Sequence, residues 1–163
     1  MEIKFTPWRM AYISSGDAPK IEGCVLCALG AMEPDDQNLV LYRGAQCYVI
    51  MNRYPYNTAH LMVVPYAHTA DLVGLDAATA GELFDLTRRT IAILADVYHP
   101  HGFNIGMNLG KTAGAGIDAH IHMHIVPRWE GDANFMPIVG GTKLVPEALE
   151  QTWARLRPAF AAL

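Results

Sequence analysis

Three histidines in alternation, in the run His120-Ile121-His122-Met123-His124-Ile125-Val126-Pro127, form the stretch of this sequence with the most chemistry in it. In an extended strand successive side chains face opposite ways, so the imidazoles would form one polar row while Ile121, Met123 and Ile125 face a core. Three readings follow: an exposed strand face, a metal site built on neutral imidazoles, or a centre for chemistry at phosphorus. In the third, one imidazole is the nucleophile and a neighbour stabilises charge or protonates the leaving oxygen. The segment Gly110-Lys111-Thr112-Ala113-Gly114-Ala115-Gly116, just before the histidines, favours phosphate. Its small residues let main-chain N–H groups approach an anion closely. It does not meet the Walker lysine pattern.

Cys24-x-x-Cys27 is a second candidate. A two-residue spacer lets two thiolates share one tetrahedral ion, so the pair is an incomplete half of a zinc site, which His68 and His120 could complete. The alternative is two small buried apolar residues. Three cysteines cannot all pair within one chain, and a reducing cytosol disfavours structural disulfides, so metal binding or free thiols are expected. Cys47 reads as core. His60, just before an apolar run, reads either as a structural residue that hydrogen-bonds to loop backbone or to the histidines, or as a residue that takes part directly in catalysis. His99 and His101 flank Pro100 and are assigned no chemistry.

These residues need elements to hold them. Residues 1–37 read as an N-terminal arm. Short strand-like runs at 39–42, 46–51 and 61–64 follow as an antiparallel meander. Apolar spacing at Leu83, Phe84, Thr87, Ile91, Leu94, Ala95 and Tyr98 predicts one helix face, with Asp76 as N-cap and His99-Pro100 as the stop. Residues 103–109 and 120–126 read as two further strands, and 146–160 as a final helix with Pro158 near its end. The expected class is α+β, with helices packed on a mainly antiparallel sheet in a single domain spanning 1–163.

Composition limits the partners. Twelve Lys plus Arg against sixteen Asp plus Glu leave a net charge of -4, which argues against a broad surface for nucleic acid or anionic membrane. With 52% hydrophobic and 17% charged residues, the chain has ample surface to bury. The longest apolar stretch, 24–32, is too short to span a bilayer, and the first residues lack a signal-peptide layout. A cytoplasmic protein is expected.

The His-x-His-x-His run, together with Asn52-Arg53-Tyr54-Pro55, Ala59-His60-Leu61-Met62-Val63-Val64-Pro65 and Phe103-Asn104-Ile105-Gly106-Met107-Asn108-Leu109-Gly110, resembles the histidine triad family of nucleotide-binding proteins over residues 22–145. Pro127-Arg128-Trp129, Gly131–Phe135 and Gly141-Thr142-Lys143 are most similar to its diadenosine tetraphosphate phosphorylase branch. The resemblance implies the histidine triad fold, with a long central helix, a C-terminal helix and assembly as a homodimer. It implies that His122 attacks the α-phosphorus to form a covalent nucleotidyl-imidazole, and that His124 contacts the phosphate or the leaving oxygen. Asn108 would hold the phosphate, Asn52 would lie near the nucleoside, and Gly114, Ala115 and Gly116 would offer main-chain contacts. Relatives carry a hydroxyl residue near Gly116 and this chain has none there, so one donor of the family is missing. Trp129 would cover a nucleotide or acceptor pocket, Lys143 would reach phosphate, and His60 would support the site. Cys24, Cys27, His68 and His120 would hold structural Zn²⁺. The implied activity is phosphorolysis of diadenosine tetraphosphate to ATP and ADP, with inorganic phosphate as acceptor. Hydrolysis of dinucleoside polyphosphates or nucleoside phosphoramidates, and a non-catalytic nucleotide-binding module, are the alternatives.

Overall fold

A computed structural model describes residues 22–33, 35–132 and 147–163. Helices α1 (Val25–Ala31) and α2 (Asp35–Asn38) lead into strands β1 (Val40–Arg43), β2 (Cys47–Met51) and β3 (Leu61–Pro65). The long helix α3 (Ala77–Tyr98), strand β4 (Gly102–Gly106), a 3-10 turn at Lys111–Ala113, strand β5 (Met123–Arg128) and helix α4 (Leu149–Phe160) complete the order. All neighbours in the five-stranded sheet are antiparallel, in the order β1-β2-β3-β5-β4. The α+β class and the meander are as expected. The last strand inserts between the meander and β4, so the histidine-bearing segment enters the middle of the sheet.

Packing explains why the sheet is rigid there. Every residue of β2 and β3 is buried, with α3 packed over β2, β3 and β5 and α4 over β1. Asp76 caps α3 as predicted: its carboxylate accepts from the Ala78 and Thr79 amides at 3.0 Å and from the Thr79 hydroxyl at 2.6 Å. Those bonds, the hydroxyl's first, hold its carboxyl below the ordinary range. His99 ends the helix in the left-handed region at φ 47°. The buried stripe is Thr79, Leu83, Leu86, Thr87, Thr90 and Leu94. Phe84 is not on it: one position beyond Leu83 it is rotated about 100° away, and it is 62% exposed. Ala95 is exposed for the same reason.

Several boundaries differ from expectation, among them the start of the last helix at Leu149 rather than 146 and the short α2 at the end of the arm, and three differences bear on the site. Strand β4 ends at Gly106 rather than 109, and β5 begins at Met123 rather than His120. At 120–122 the main chain bonds elsewhere: the Ile121 amide donates to the Thr69 carbonyl at 2.8 Å, and the His120 carbonyl accepts from the His122 ring. The third is α1, which lies in the arm where no helix is expected. Its C-terminal end is stapled by Arg43, which reaches the Gly30 and Met32 carbonyls and the Asp35 carboxylate. Gly30 is required because a Cβ would meet the Tyr48 ring at 2.9 Å, while the Tyr48 hydroxyl donates to the Leu26 carbonyl at 2.6 Å. Residues 1–21 of the arm, Pro34, and 133–146, including the Asn134, Phe135 and Lys143 expectations, lie outside the described residues.

The two edges of the sheet are treated differently. At β1, the Trp153 indole N–H on α4 donates to the Val40 carbonyl at 3.3 Å, and the register is broken between Val40 and Tyr42. At β4, Asn104, Ile105 and Gly106 face solvent. Among the described residues, no helix is long and apolar enough to cross a membrane.

Candidate active site and metal centre

The three alternating histidines do not form one row. They divide between two clusters, and hydrogen bonds, to main-chain carbonyls for His120 and His122 and to the His60 ring for His124, determine which ring nitrogen each presents.

His122 is buried, and its Nδ1 lies 2.8 Å from the His120 carbonyl. A carbonyl can only accept, so Nδ1 carries the proton and the neutral ring keeps its lone pair on Nε2. His124 packs edge-on against it, ring centroids 4.7 Å apart. The state of His124 is set from outside the run. The Tyr56 amide donates to His60 Nδ1 at 3.0 Å, so the neutral His60 carries its proton on Nε2. That nitrogen lies 2.9 Å from His124 Nδ1, which therefore accepts and leaves His124 presenting an Nε2–H donor. Burial, with repulsion from His122 as a smaller cause, pushes His124 down to about 4, so it is a neutral donor near pH 7. The pair is thus one ring with an available lone pair beside one ring with an available N–H. That is what in-line attack on a phosphoryl group and stabilisation of its oxygen require.

His120 turns the other way. Its Nε2 donates to the Pro65 carbonyl at 2.8 Å, leaving Nδ1 bare. Nδ1 lies 3.3 Å from Cys24 Sγ, 3.4 Å from Cys27 Sγ and 3.4 Å from His68 Nδ1. Cys27 Sγ is 3.4 Å from His68 Nδ1, and all four donor atoms lie within 4.8 Å of one another. A tetrahedral Zn²⁺ with bonds of about 2.3 Å to sulfur and 2.0 Å to nitrogen sets donor separations of roughly 3.3–3.8 Å, so the donor types and the four contacts of 3.3–3.4 Å fit zinc, and the widest pair, within 4.8 Å, would draw in on binding. Burial holds His120 below its ordinary value, as a neutral ligand. Burial and then the neighbouring Cys24 push the Cys27 thiol up, so two thiolates side by side need a cation to balance them.

The other expected site residues are placed as follows. Asn52 builds the loop: its Oδ1 accepts from the Tyr54 amide at 2.9 Å, and its Nδ2 is 3.4 Å from His60 Nδ1. Asn108 lies half-buried two residues beyond Gly106, the register partner of His124, so the chain there runs toward the level of His122. In the glycine loop, the Gly114 and Ala115 amides are taken by the Lys111 and Gly110 carbonyls at 2.9 and 3.4 Å, so the expected anion contacts there compete with internal bonds. Trp129 is not brought to the imidazoles of its own chain. It lies five residues past His124, roughly 16 Å along the strand, and its ring packs on Tyr98 at 6.5 Å.

Tyr56 and Asn57 had no sequence signal beyond adjacency to His60. The Tyr56 ring lies 4.6 Å from His60 and 5.7 Å from His124, with the side that faces solvent leaving the residue 52% exposed. Asn57 is buried and bonded to the Pro127 carbonyl and the Asp132 carboxylate. Asp132 also accepts from Arg128, whose guanidinium holds its carboxyl far below the usual carboxylate range.

Residues 33–131 match the HIT domain family. AP-4-A phosphorylase of Mycobacterium tuberculosis (strain ATCC 25618 / H37Rv) is 39% identical over 93% of this chain and 84% of that protein. Among solved structures, a zinc-bound histidine triad family protein from Mycobacterium smegmatis superposes with a TM-score of 0.68 at 27% identity, covering 86% of this chain and 94% of that one. A hypothetical histidine triad nucleotide-binding protein from Sulfolobus tokodaii strain7 superposes with a TM-score of 0.67 at 25% identity, covering 86% and 93%.

Proposed function

The chain belongs to the HIT domain family, and we propose from that premise that it transfers a nucleotidyl group from a dinucleoside polyphosphate through His122, with inorganic phosphate as the acceptor. The observation that carries this reading is the His122 Nδ1 bond to the His120 carbonyl, which leaves Nε2 as a lone-pair nucleophile in a buried site. With diadenosine tetraphosphate, Nε2 attacks the α-phosphorus, a P–N bond forms, and the P–O bond to the leaving chain breaks to release ATP. The His124 Nε2–H stabilises the phosphoryl oxygens during this step. Phosphate oxygen then attacks the same phosphorus, the P–N bond breaks, and ADP leaves with His122 restored. Asn108 and the Gly114–Gly116 backbone are the proposed phosphate contacts, Asn52 the proposed residue on the nucleoside side, and His60 the support of His124.

The relative named AP-4-A phosphorylase supports the substrate and the acceptor. Cys24, Cys27, His68 and His120 are the residues that would hold Zn²⁺, a closed structural ion that fixes the strand entry. The zinc-bound neighbour supports that assignment. Among the described residues no strand pairs with the outer side of β4, and Ile105 there is 48% exposed, which supports a second copy of this chain as its partner.

Product analysis tests the reading. Diadenosine tetraphosphate with phosphate is expected to give ATP plus ADP, and omitting phosphate is expected to stop turnover with a nucleotide trapped on His122. AMP plus ATP at an unchanged rate without phosphate assigns the chain to hydrolysis. Binding without turnover or trapping assigns it to a nucleotide-binding module.

A further inference from the structure

His60 and His124 come from different parts of the chain, and their 2.9 Å contact is the bond that makes His124 a donor. His60 lies at the end of the loop between β2 and β3, held by bonds to its own loop, two of which fix its ring and its amide. The Tyr56 amide holds the ring at Nδ1, and the Asn57 carbonyl accepts from the His60 amide at 3.2 Å. Neither bond relates His60 to β5, the strand that carries His124.

The ladder ties the next residue, Leu61, to Ile125 of β5, and Asn57 adds a second tie from within the loop. It is 4% exposed, and both hydrogens of its side-chain amide leave the loop for β5 and the turn after it. One goes to the Pro127 carbonyl at 2.9 Å and the other to Asp132 Oδ2 at 2.8 Å. The receiving side is itself fixed. Asp132 accepts from Arg128 Nε and Nη2 at 2.7 Å each and from the Trp129 amide at 3.1 Å, and Arg128 continues to Asn104 Oδ1 on β4 at 2.6 Å. The Pro127 carbonyl is available because β3 pairs with β5 only as far as Ile125. A side chain from the neighbouring loop therefore takes up a main-chain acceptor past the last ladder pair.

We propose that Asn57 is a positioning residue for the transfer reaction: by bonding the His60 loop to the strand that carries His124, it sets the separation at which His60 fixes the His124 ring. This rests on the proposed role of His124. The residue touches no substrate and acts only through the two imidazoles. Buried polar groups with both donors satisfied fix geometry more strictly than apolar packing does, because an alternative arrangement leaves an unpaired donor.

The test reads the ring nitrogens of His60 and His124 by ¹⁵N NMR in the substrate-free chain, alongside steady-state kinetics. In the wild type, His124 is expected as the single Nε2–H form. In Asn57→Ala, and in Asn57→Asp, which keeps the shape but cannot donate, both ring forms of His124 are expected, with kcat lower by about 10- to 100-fold for a displacement on the ångström scale and KM within about threefold. If these variants fail to fold, Asp132→Ala, which removes one of the two acceptors, is expected to show the same mixing to a smaller extent. A folded variant with wild-type ring signals overturns the proposal. Because these signals need no substrate, a chain that loses the single ring form in the variants but never turns over a dinucleotide refutes the proposed function and leaves the positioning role standing.

Discussion

Two clusters meet at one five-residue segment, and they differ in which imidazole nitrogen is spent on a main-chain carbonyl. At His120 the Pro65 carbonyl takes Nε2, and Nδ1 faces two thiols and a second imidazole. At His122 the His120 carbonyl takes Nδ1, and Nε2 is left for substrate. The same side chain, two positions apart, is a proposed metal ligand in one place and a proposed nucleophile in the other. Main-chain geometry makes that choice. His120 serves both clusters, its ring in the first and its carbonyl in the second.

Breaking the second cluster is expected to have the largest effect. His122→Ala removes the proposed nucleophile and should lower turnover by about a thousandfold or more, while circular dichroism and bound zinc stay at wild-type levels. Activity near normal would remove the covalent route. Breaking the first cluster should affect stability instead. The purified wild type is expected to carry about one zinc per chain, and Cys24→Ala to lose it with a loss of about 2–3 kcal/mol, read as a fall in Tm of roughly 5–10 °C. Elemental analysis and thermal melts check both parts. Zinc absent from wild type grown in metal-replete medium would return the cysteines to the core.

The smallest effect sharpens the comparison through pH. His124 in the folded chain lies at about 4, below its ordinary 6.5, so the unfolded chain binds more protons between those values. Its contribution to stability is complete above about 6.5 and is lost as pH falls toward 4. Urea unfolding of the wild type should therefore weaken over that interval more than that of His124→Gln, and equal slopes would show that the ring is not desolvated. NMR titration of His124 should give a midpoint near 4.

Much of this arrangement was legible in residue types and spacing. The alternation of histidines, the Cys-x-x-Cys pair, the Asp76 cap and the meander all rest on local periodicity or local bonding, which a sequence records directly, whereas His68 and His120, 41 and 93 residues from Cys27, are joined to the cysteines through the family resemblance. What was not legible depends on where backbone groups find partners. Alternation could not show that Ile121 bonds to Thr69 instead of continuing the strand, nor that the His120 ring is taken up by the Pro65 carbonyl and the cysteine cluster. Trp129 follows the histidines closely in sequence, but an extended strand carries it away from them to Tyr98. Phe84 fitted an apolar spacing, yet the helix rolls on Leu83 and Leu86 instead. Asn57 has no signature at all, since its partners Pro127 and Asp132 are 70 and 75 residues away.

The unequal sheet edges also limit growth. A second copy adding to β4 about a two-fold axis would join two sheets into one whose outermost strands are both β1. Each of these already has its Val40 carbonyl occupied by Trp153 and its register broken at Tyr42. Were β4 to pair two chains, further addition at β1 would meet an occupied carbonyl and a broken register, which disfavours growth of the sheet into fibres.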